Sequence, residues 1–102
     1  MSSSDKKKSA DYYQKVEQGK EFANAGGIPP LLTGSQAQKD FAEVVRADIL
    51  SSLIEFGDLD HALVLADNIR DAKDWIESRY LDYDAILERA EQIDRRNKES
   101  PV

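Results

Sequence analysis

The chain has 102 residues, no cysteine, and a net charge of −6 from 20 acidic and 14 basic residues. This length allows one domain with a modest core, and the missing cysteine excludes a disulfide scaffold or a catalytic thiolate. The N-terminus has no apolar core typical of a signal peptide, and no run approaches the roughly 20 apolar residues of a membrane span. We therefore expect a cytoplasmic protein without membrane contact.

The charge is unevenly distributed along the chain. Residues 1–39 carry a net charge of +2, residues 40–94 carry −10, and residues 95–102 carry +2. An acidic body repels phosphate backbones, so this distribution argues against broad nucleic-acid binding. The two basic ends leave one alternative open, a nucleic-acid accessory protein that binds through Lys6–Lys8 and Arg95–Lys98.

The first segment, residues 1–8, is low in apolar content and is expected to be a disordered tail. Ser9 or Asp11 can then cap a first helix, which Gly26-Gly27 ends. Glycine inside a helix costs about 1 kcal/mol relative to alanine. Gly19 therefore predicts either a close approach of another helix or a weak helix.

An extended connector is predicted at Ile28-Pro29-Pro30-Leu31-Leu32, because a residue before proline avoids the helical region. The segment has two interpretations. Its Ile and Leu side chains pack on the core, which we favour, or it is a polyproline ligand for a partner.

The clearest helix start in the chain lies at Ser35, which Gln38 follows at capping-box spacing. From there apolar residues recur at helical spacing until Gly57, which supplies a C-terminal stop. Leu50 and Ile54 fall on a second face, so the helix is apolar nearly all round. This predicts neighbours on several sides of the helix, or a homodimer if that second face is exposed.

Shorter helices are predicted after this element. Each begins at an aspartate that can act as its cap: Asp58 or Asp60, then Asp71, then Asp82 or Asp84. The helical periodicity also runs unbroken from Leu59 to Tyr80, so one continuous helix remains an alternative to a break at Asp71.

These elements predict the fold class. No alternating β-pattern of useful length appears, so we expect an all-α fold, a compact bundle of four or five short helices with disordered ends. The single helical domain spans residues 9–94, and residues 95–102 form a flexible C-terminal tail.

Signals of catalysis and metal binding are weak in this sequence. His61 is the single histidine, and a metal or base role would require Asp58 and Asp60 as partners. A lone histidine beside a helix start is more often a surface or capping residue, and a structural zinc site needs more nitrogen or sulfur ligands. We expect no catalytic residues, no metal and no cofactor, and hence no enzyme.

Four residues are candidates for contact with a partner: Glu43, Arg46, Trp75 and Arg79. In a structural interpretation, Glu43 pairs with one of the two arginines, beside Phe41 and Trp75 packed together. In a functional interpretation, the two arginines present a shared patch to a partner. The sequence leaves both open.

Two short segments of the chain form a recognisable pattern. The first is Leu32-Thr33-Gly34-Ser35-Gln36-Ala37-Gln38 followed by Phe41-Ala42-Glu43-Val44-Val45-Arg46, and the second is Trp75-Ile76-Glu77-Ser78-Arg79. The pattern resembles small uncharacterised proteins of phages and other bacterial mobile elements. These commonly have Leu-Thr-Gly-Ser-Glu-Lys-Gln, then Trp-Ala-Glu-x-Ile-Arg, and later Trp-Ile-Asp-x-Arg. The departures from that pattern include Ala37 for Lys, Phe41 for Trp, Val44 for a polar residue and Glu77 for Asp.

The resemblance implies a mobile-element accessory protein but brings no activity with it. Together with the small size and the missing catalytic set, it leads us to expect a non-enzymatic helical module that binds another protein. The acidic body would steer this module toward a basic surface. A narrower hypothesis is an acidic inhibitor, whose carboxylates occupy the phosphate sites of a nucleic-acid-binding partner.

Overall fold

A computed structural model of the chain shows an all-helical fold; it describes the backbone of residues 2–99 and the side chains of residues 11–99. The five helices are α1 (Ser2–Ala25), α2 (Gln36–Glu55), α3 (Leu59–Asn68), α4 (Ala72–Ser78) and α5 (Tyr83–Glu99). Between residues 2 and 99 there is no strand, and extended backbone pairs at one isolated parallel bridge, Thr33 with Asp71. The predicted all-α bundle is confirmed.

The helical part extends beyond the predicted 9–94 at both ends. α1 begins at Ser2 rather than near Ser9, so helical backbone covers residues 2–8, where lysine is a good helix former. α5 continues to Glu99, with basic residues in its last turn that suit the negative end of the helix dipole. Met1 and residues 100–102, which the predicted tails include, lie outside the described residues.

The predicted start and stop signals of α2 are confirmed. The Ser35 hydroxyl accepts from the Gln38 backbone N–H at 3.2 Å, and the Gln38 side chain accepts from the Ser35 N–H at 2.9 Å. At the other end Gly57 has φ of +85°, a value that favours glycine. The Asp58 N–H then donates to the Leu53 carbonyl at 2.8 Å and closes the helix.

The aspartates before the later helices have different roles. Asp71 caps α4, and Asp82 caps the start of α5, each accepting from a backbone N–H of the first turn. Asp58 precedes α3, but its side chain makes no capping bond and accepts instead from the Tyr83 hydroxyl. α3 and α4 are separate helices, so the predicted break at Asp71 is confirmed and the continuous helix from Leu59 to Tyr80 is wrong.

α1 and α2 approach each other closely at Gly19. A Cβ built at this glycine would lie 2.6 Å from the Glu43 carbonyl oxygen, closer than a methyl group can approach. Further back along both helices, the Tyr12 and Phe41 rings lie 6.5 Å apart between centroids. An earlier residue of α1 thus lies beside an earlier residue of α2, and a later residue beside a later one. The two helices therefore run in roughly the same direction. Of the two interpretations of Gly19, close helix packing is confirmed.

The connector between α1 and α2 has to return along the bundle, because the two helices run in roughly the same direction. Extended backbone spans about 3.3 Å per residue, which lets this short segment cover the distance. The Leu32 N–H donates to the Arg70 carbonyl at 2.8 Å, and the Thr33 carbonyl accepts from the Ala72 N–H at 3.1 Å. Leu31 is buried in the core as predicted, whereas Leu32 is 62% exposed.

The core lies where α2 meets α3 and α4, with α1 on the other side of α2 and α5 against α3. Its buried members are Leu31, Ala42, Leu50, Leu53, Ala62, Leu65, Ala66, Ile69, Ala72, Trp75 and Ala90. The predicted neighbours on several sides of α2 are confirmed, and Leu50 is buried within the chain. None of the helices described between residues 2 and 99 combines the length and apolarity that crossing a bilayer requires.

Replacing Gly19 by alanine should destabilise the protein, although alanine is the better helix former by about 1 kcal/mol. The added methyl group overlaps the Glu43 backbone, and such overpacking costs about 1–3 kcal/mol. We expect urea denaturation to give a net loss of about 1–2 kcal/mol for Gly19→Ala. The matched control is Gln18→Ala at the preceding exposed position, with little change expected. A stabilised Gly19→Ala variant would show that the two helices are not in close contact there.

Candidate functional site

Arg46 lies in the interior of the bundle, with 1% of its surface exposed. One terminal nitrogen donates to the Pro29 carbonyl at 2.8 Å, and the other forms an ion pair with the Glu43 carboxylate. A buried charge requires such partners, because desolvation of an unpaired guanidinium is costly. Arg46 is therefore the arginine with which Glu43 pairs, and it fastens the connector to α2.

Trp75 is also a core residue. It is 1% exposed, and its indole N–H donates to the Ile69 carbonyl at 2.9 Å, which satisfies its one polar group. It does not form the predicted pair with Phe41, whose aromatic neighbour is Tyr12. Burial removes both Arg46 and Trp75 from the set of partner-contact candidates.

Arg79 is the exposed member of the candidate set. Its guanidinium carbon lies 4.9 Å from the Phe41 ring centroid and 4.5 Å from the Tyr80 ring centroid. It also donates to the Tyr80 hydroxyl. These stacking contacts hold a charged group on the surface near the end of α4. Because Arg46 is buried, the two arginines do not form the shared patch of the functional interpretation.

Several grooves border α2 on the described surface, and two of them have mainly apolar linings. The first, which we call the Arg79 groove, has a volume of about 400 Å³ and lies between α2 and the α4–α5 corner. Its lining mixes apolar residues with charges: Phe41, Val44, Val45, Asp48, Ile49, Ser52, Leu53, Arg79, Tyr83 and Ile86. The second, which we call the apolar groove, has a volume of about 340 Å³ and lies between the end of α1, α2 and α3. Its lining carries no polar side chain: Phe22, Ala25, Gly26, Ile28, Leu50, Ile54, Leu59, Ala62, Leu63 and Ala66.

The rim of the apolar groove consists of large side chains that water can reach. Ile54 is 46% exposed, and Leu59 and Leu63 are each 51% exposed. Burying apolar surface is worth about 25 cal/mol per Å², and adjoining exposed apolar residues are typical of interaction sites. None of the four candidate contact residues predicted from the sequence lines this groove. The sequence signal for the groove was the width of the α3 apolar stripe, which the neighbouring helices α2 and α5 do not fully cover.

His61 belongs to the first turn of α3 and faces α5. Its Nδ1 is 3.9 Å from an Asp58 oxygen and its Nε2 is 4.0 Å from a Glu91 oxygen, while Asp60 lines the same shallow pocket. Among the side chains of residues 11–99, no group of three or more His, Cys, Asp or Glu is arranged to hold a metal ion. The geometry therefore gives His61 carboxylate neighbours but no ligand set.

The hydrogen bond from Tyr83 to Asp58 joins the start of α5 to the turn between α2 and α3. This bond, followed by desolvation and by the negative charge of Asp58, raises the pKa of Tyr83 to about 12. The Phe56 ring packs edge-on against Tyr83 at 5.4 Å between centroids. Burial is also the main cause that raises the pKa of Tyr12.

Of the two basic ends of the chain, the structure describes the side chains of the C-terminal one. Arg95, Arg96 and Lys98 are exposed near the end of α5, where Lys98 pairs with Asp94 at 3.2 Å. The side chains of Lys6–Lys8 lie outside the described residues. The predicted nucleic-acid contact through these ends stays a prediction.

Comparisons with protein-family models, with curated proteins and with solved structures find no match to this chain. The resemblance to mobile-element proteins therefore stays a prediction. The geometry nevertheless gives most of the motif residues structural roles. Ser35 and Gln38 cap α2, Glu43 and Arg46 form the internal ion pair, and Trp75 fills the core.

Removing the Glu43 carboxylate should leave the Arg46 charge buried without a counter-ion. We expect Glu43→Ala to cost about 3 kcal/mol or more in the free energy of unfolding, measured by urea denaturation. In a double-mutant cycle with Arg46→Met, the double variant should lose less than the two single variants together. The same cycle between Glu43 and Arg79 is the control, and it should be additive within about 0.5 kcal/mol. Coupling of Glu43 to Arg79 instead would contradict this pairing.

Because Tyr83 titrates at alkaline pH, the free energy of unfolding should fall as the pH rises through that range. The folded pKa of about 12 exceeds the ordinary value of 10.0, so folding favours the neutral phenol. This stabilisation is complete below the ordinary pKa and is lost as the pH rises through the folded pKa. When tyrosinate absorbance is followed against pH, one step should occur at higher pH than the ordinary tyrosine titration. The Tyr83→Phe variant should lack this step, and the Asp58→Asn variant should show it at lower pH. An unchanged step in Asp58→Asn would show that the carboxylate does not hold the phenol neutral.

Proposed function

We propose that this protein acts by binding another protein in the apolar groove, and that it performs no catalysis. The observation that carries the proposal is the groove itself. Ile54, Leu59 and Leu63, from two helices, stand half exposed around a concave apolar surface. Apolar side chains of a partner would remove this surface from water, which is the main favourable term in protein association.

The lining of the apolar groove supports binding over catalysis. It contains no ionisable side chain, hydroxyl or amide. Small-molecule sites use a few convergent polar groups to orient a substrate, and acid–base chemistry needs titratable groups in the cleft. An apolar partner surface needs neither, because burial itself provides the attraction.

The charge of the body supports a basic partner. Residues 40–94 carry a net charge of −10, and the internal pair of Glu43 with Arg46 cancels within itself. The excess carboxylates are therefore spread over other positions, and they attract a basic surface at long range. In its narrower form, we propose a cytoplasmic mobile-element protein that inhibits a nucleic-acid-binding partner by competing with phosphate.

A variant in which polar residues replace the apolar rim of the groove should bind the partner less tightly. We expect Ile54→Ser combined with Leu63→Ser to reduce capture of a specific protein from nuclease-treated bacterial lysate, since removal of one apolar anchor often costs over about 1 kcal/mol. The measurement is quantitative mass spectrometry on tagged wild type and variant. The matched control is Leu32→Ser, at a leucine that is 62% exposed and lies outside the groove, and this variant should capture as well as wild type.

Two results would overturn parts of this proposal. If no protein is enriched by the wild type over the double variant, with circular dichroism showing both folded, the apolar groove is not the binding surface. If the captured protein is retained in high salt, or if DNA does not compete with it, the inhibitor form is wrong. Binding through the apolar groove would then still stand.

A further inference from the structure

We infer that the occupant of the apolar groove is an amphipathic helix whose apolar face is flanked by Lys or Arg. This inference rests on the proposed function and makes it specific, because it names the chemistry of the partner segment. It follows from the shape of the groove, the charges of the chain that forms it, and the ends of two helices that meet beside it.

The shape of the groove fits a helix. Its buried members are Leu50 and the two small residues Ala62 and Ala66, while Ile54, Leu59 and Leu63 form an exposed rim. Small residues between rows of large ones leave space for the side chains of a partner helix. The other common modes of peptide recognition need a free sheet edge or a groove lined by aromatic residues. The described part of this chain has no strand, and Phe22 is the one aromatic residue in the lining.

The chain that forms two sides of the groove carries charge of one sign. Between Arg46 and Arg70 there is no Lys or Arg, and there are five acidic residues. The same stretch contributes six of the ten lining residues, from Leu50 to Ala66. Glu55 directly follows the rim residue Ile54, and both are exposed. Three of these acidic residues lie elsewhere, because Asp48 lines the Arg79 groove, Asp58 accepts from Tyr83 and Asp60 lines the pocket beside His61. Glu55 and Asp67 directly follow the lining residues Ile54 and Ala66, and no Lys or Arg lies between them in the sequence.

Two helix ends add to this negative field. α1 ends at Ala25 and α2 ends at Glu55, and the groove is lined by residues of both last turns. Neither last turn contains a basic residue. Each helix C-terminus carries roughly half a negative charge, which Lys or Arg of a partner can offset. α3 begins at Leu59, which also lines the groove, and its positive end offsets one of the two negative ends. The remaining negative end and the Glu55 carboxylate favour the same sign of charge in a partner.

The same charges disfavour a second copy of this chain as the occupant. Pairing two apolar grooves across a two-fold axis would bring identical acidic walls together, and the whole chain carries −6. Like charges brought together across an interface are unfavourable. A cationic helix gains from the apolar lining and from the charged walls alike.

The test uses the full-length protein and three labelled synthetic peptides of roughly 18 residues, about 27 Å long as helices. The first places Leu on one helical face and Lys elsewhere. The second replaces each Lys by Glu, and the third has the composition of the first with Leu spread around the helix. Fluorescence anisotropy gives the Kd of each. We expect saturable binding of the first peptide only, with Kd at least about tenfold lower than for either control peptide.

Variants of the protein test whether the Leu/Lys peptide binds in the apolar groove. Ile54→Ser with Leu63→Ser should raise the Kd of the Leu/Lys peptide at least about tenfold, and Leu32→Ser should leave it unchanged. Glu55→Gln with Asp67→Asn should weaken binding several-fold. Glu77→Gln with Glu88→Gln changes the net charge equally on α4 and α5 and should have little effect.

Several outcomes would overturn the inference. Equal binding of the Glu peptide would remove the selection for positive charge, and equal binding of the reordered peptide would show simple charge attraction without a helical face. Absence of saturable binding, or binding unaffected by the groove variants, would also overturn it. If the groove variants lose their lysate partner but the wild-type protein binds the Lys peptide no more tightly than the Glu peptide, the proposed function stands and this inference fails. If the wild-type protein forms dimers, and the Ile54→Ser, Leu63→Ser double variant is monomeric, a second copy of the chain is the occupant of the groove.

Discussion

A buried guanidinium constrains how this small bundle is assembled. Arg46 is enclosed by the protein, and its charge is tolerable because Glu43 and the Pro29 carbonyl both contact it. Glu43 lies on the same helix, whereas Pro29 belongs to the connector that returns from α1. The ion pair therefore forms locally, but its satisfaction requires the connector to lie against α2. That position in turn brings the connector into backbone contact with the segment before α4.

The residues that form the recognisable sequence pattern mostly hold the fold together. The Ser35–Gln38 box starts α2, Glu43 and Arg46 form the internal pair, and Trp75 is buried with its N–H satisfied. Arg79 is exposed, as are Leu32, Gln36 and Glu77 of the same pattern. The surface on which we base the proposed function lies elsewhere, on α1, the end of α2, and α3.

The apolar groove is a consequence of the size and connectivity of the chain. α3 has apolar residues on more of its circumference than α2 and α5 cover, and α1 ends at Ala25 beside it without closing the gap. Ile54, Leu59 and Leu63 consequently stay half exposed. The neighbouring segment carries carboxylates and no Lys or Arg, and on this we base the proposed preference for a basic partner.

The sequence by itself determined the helices, because caps and stops act within a few residues. Ser35, Gly57 and Asp71 begin or end helices as their local chemistry predicts. It also determined the acidic body, since charge is a property of composition. Only the tertiary structure decided which arginine is internal and which is exposed. Arg46 is buried because the connector reaches it with the Pro29 carbonyl, and Arg79 is exposed on the rings of Phe41 and Tyr80. The groove likewise arises between helices, so no local pattern specifies it.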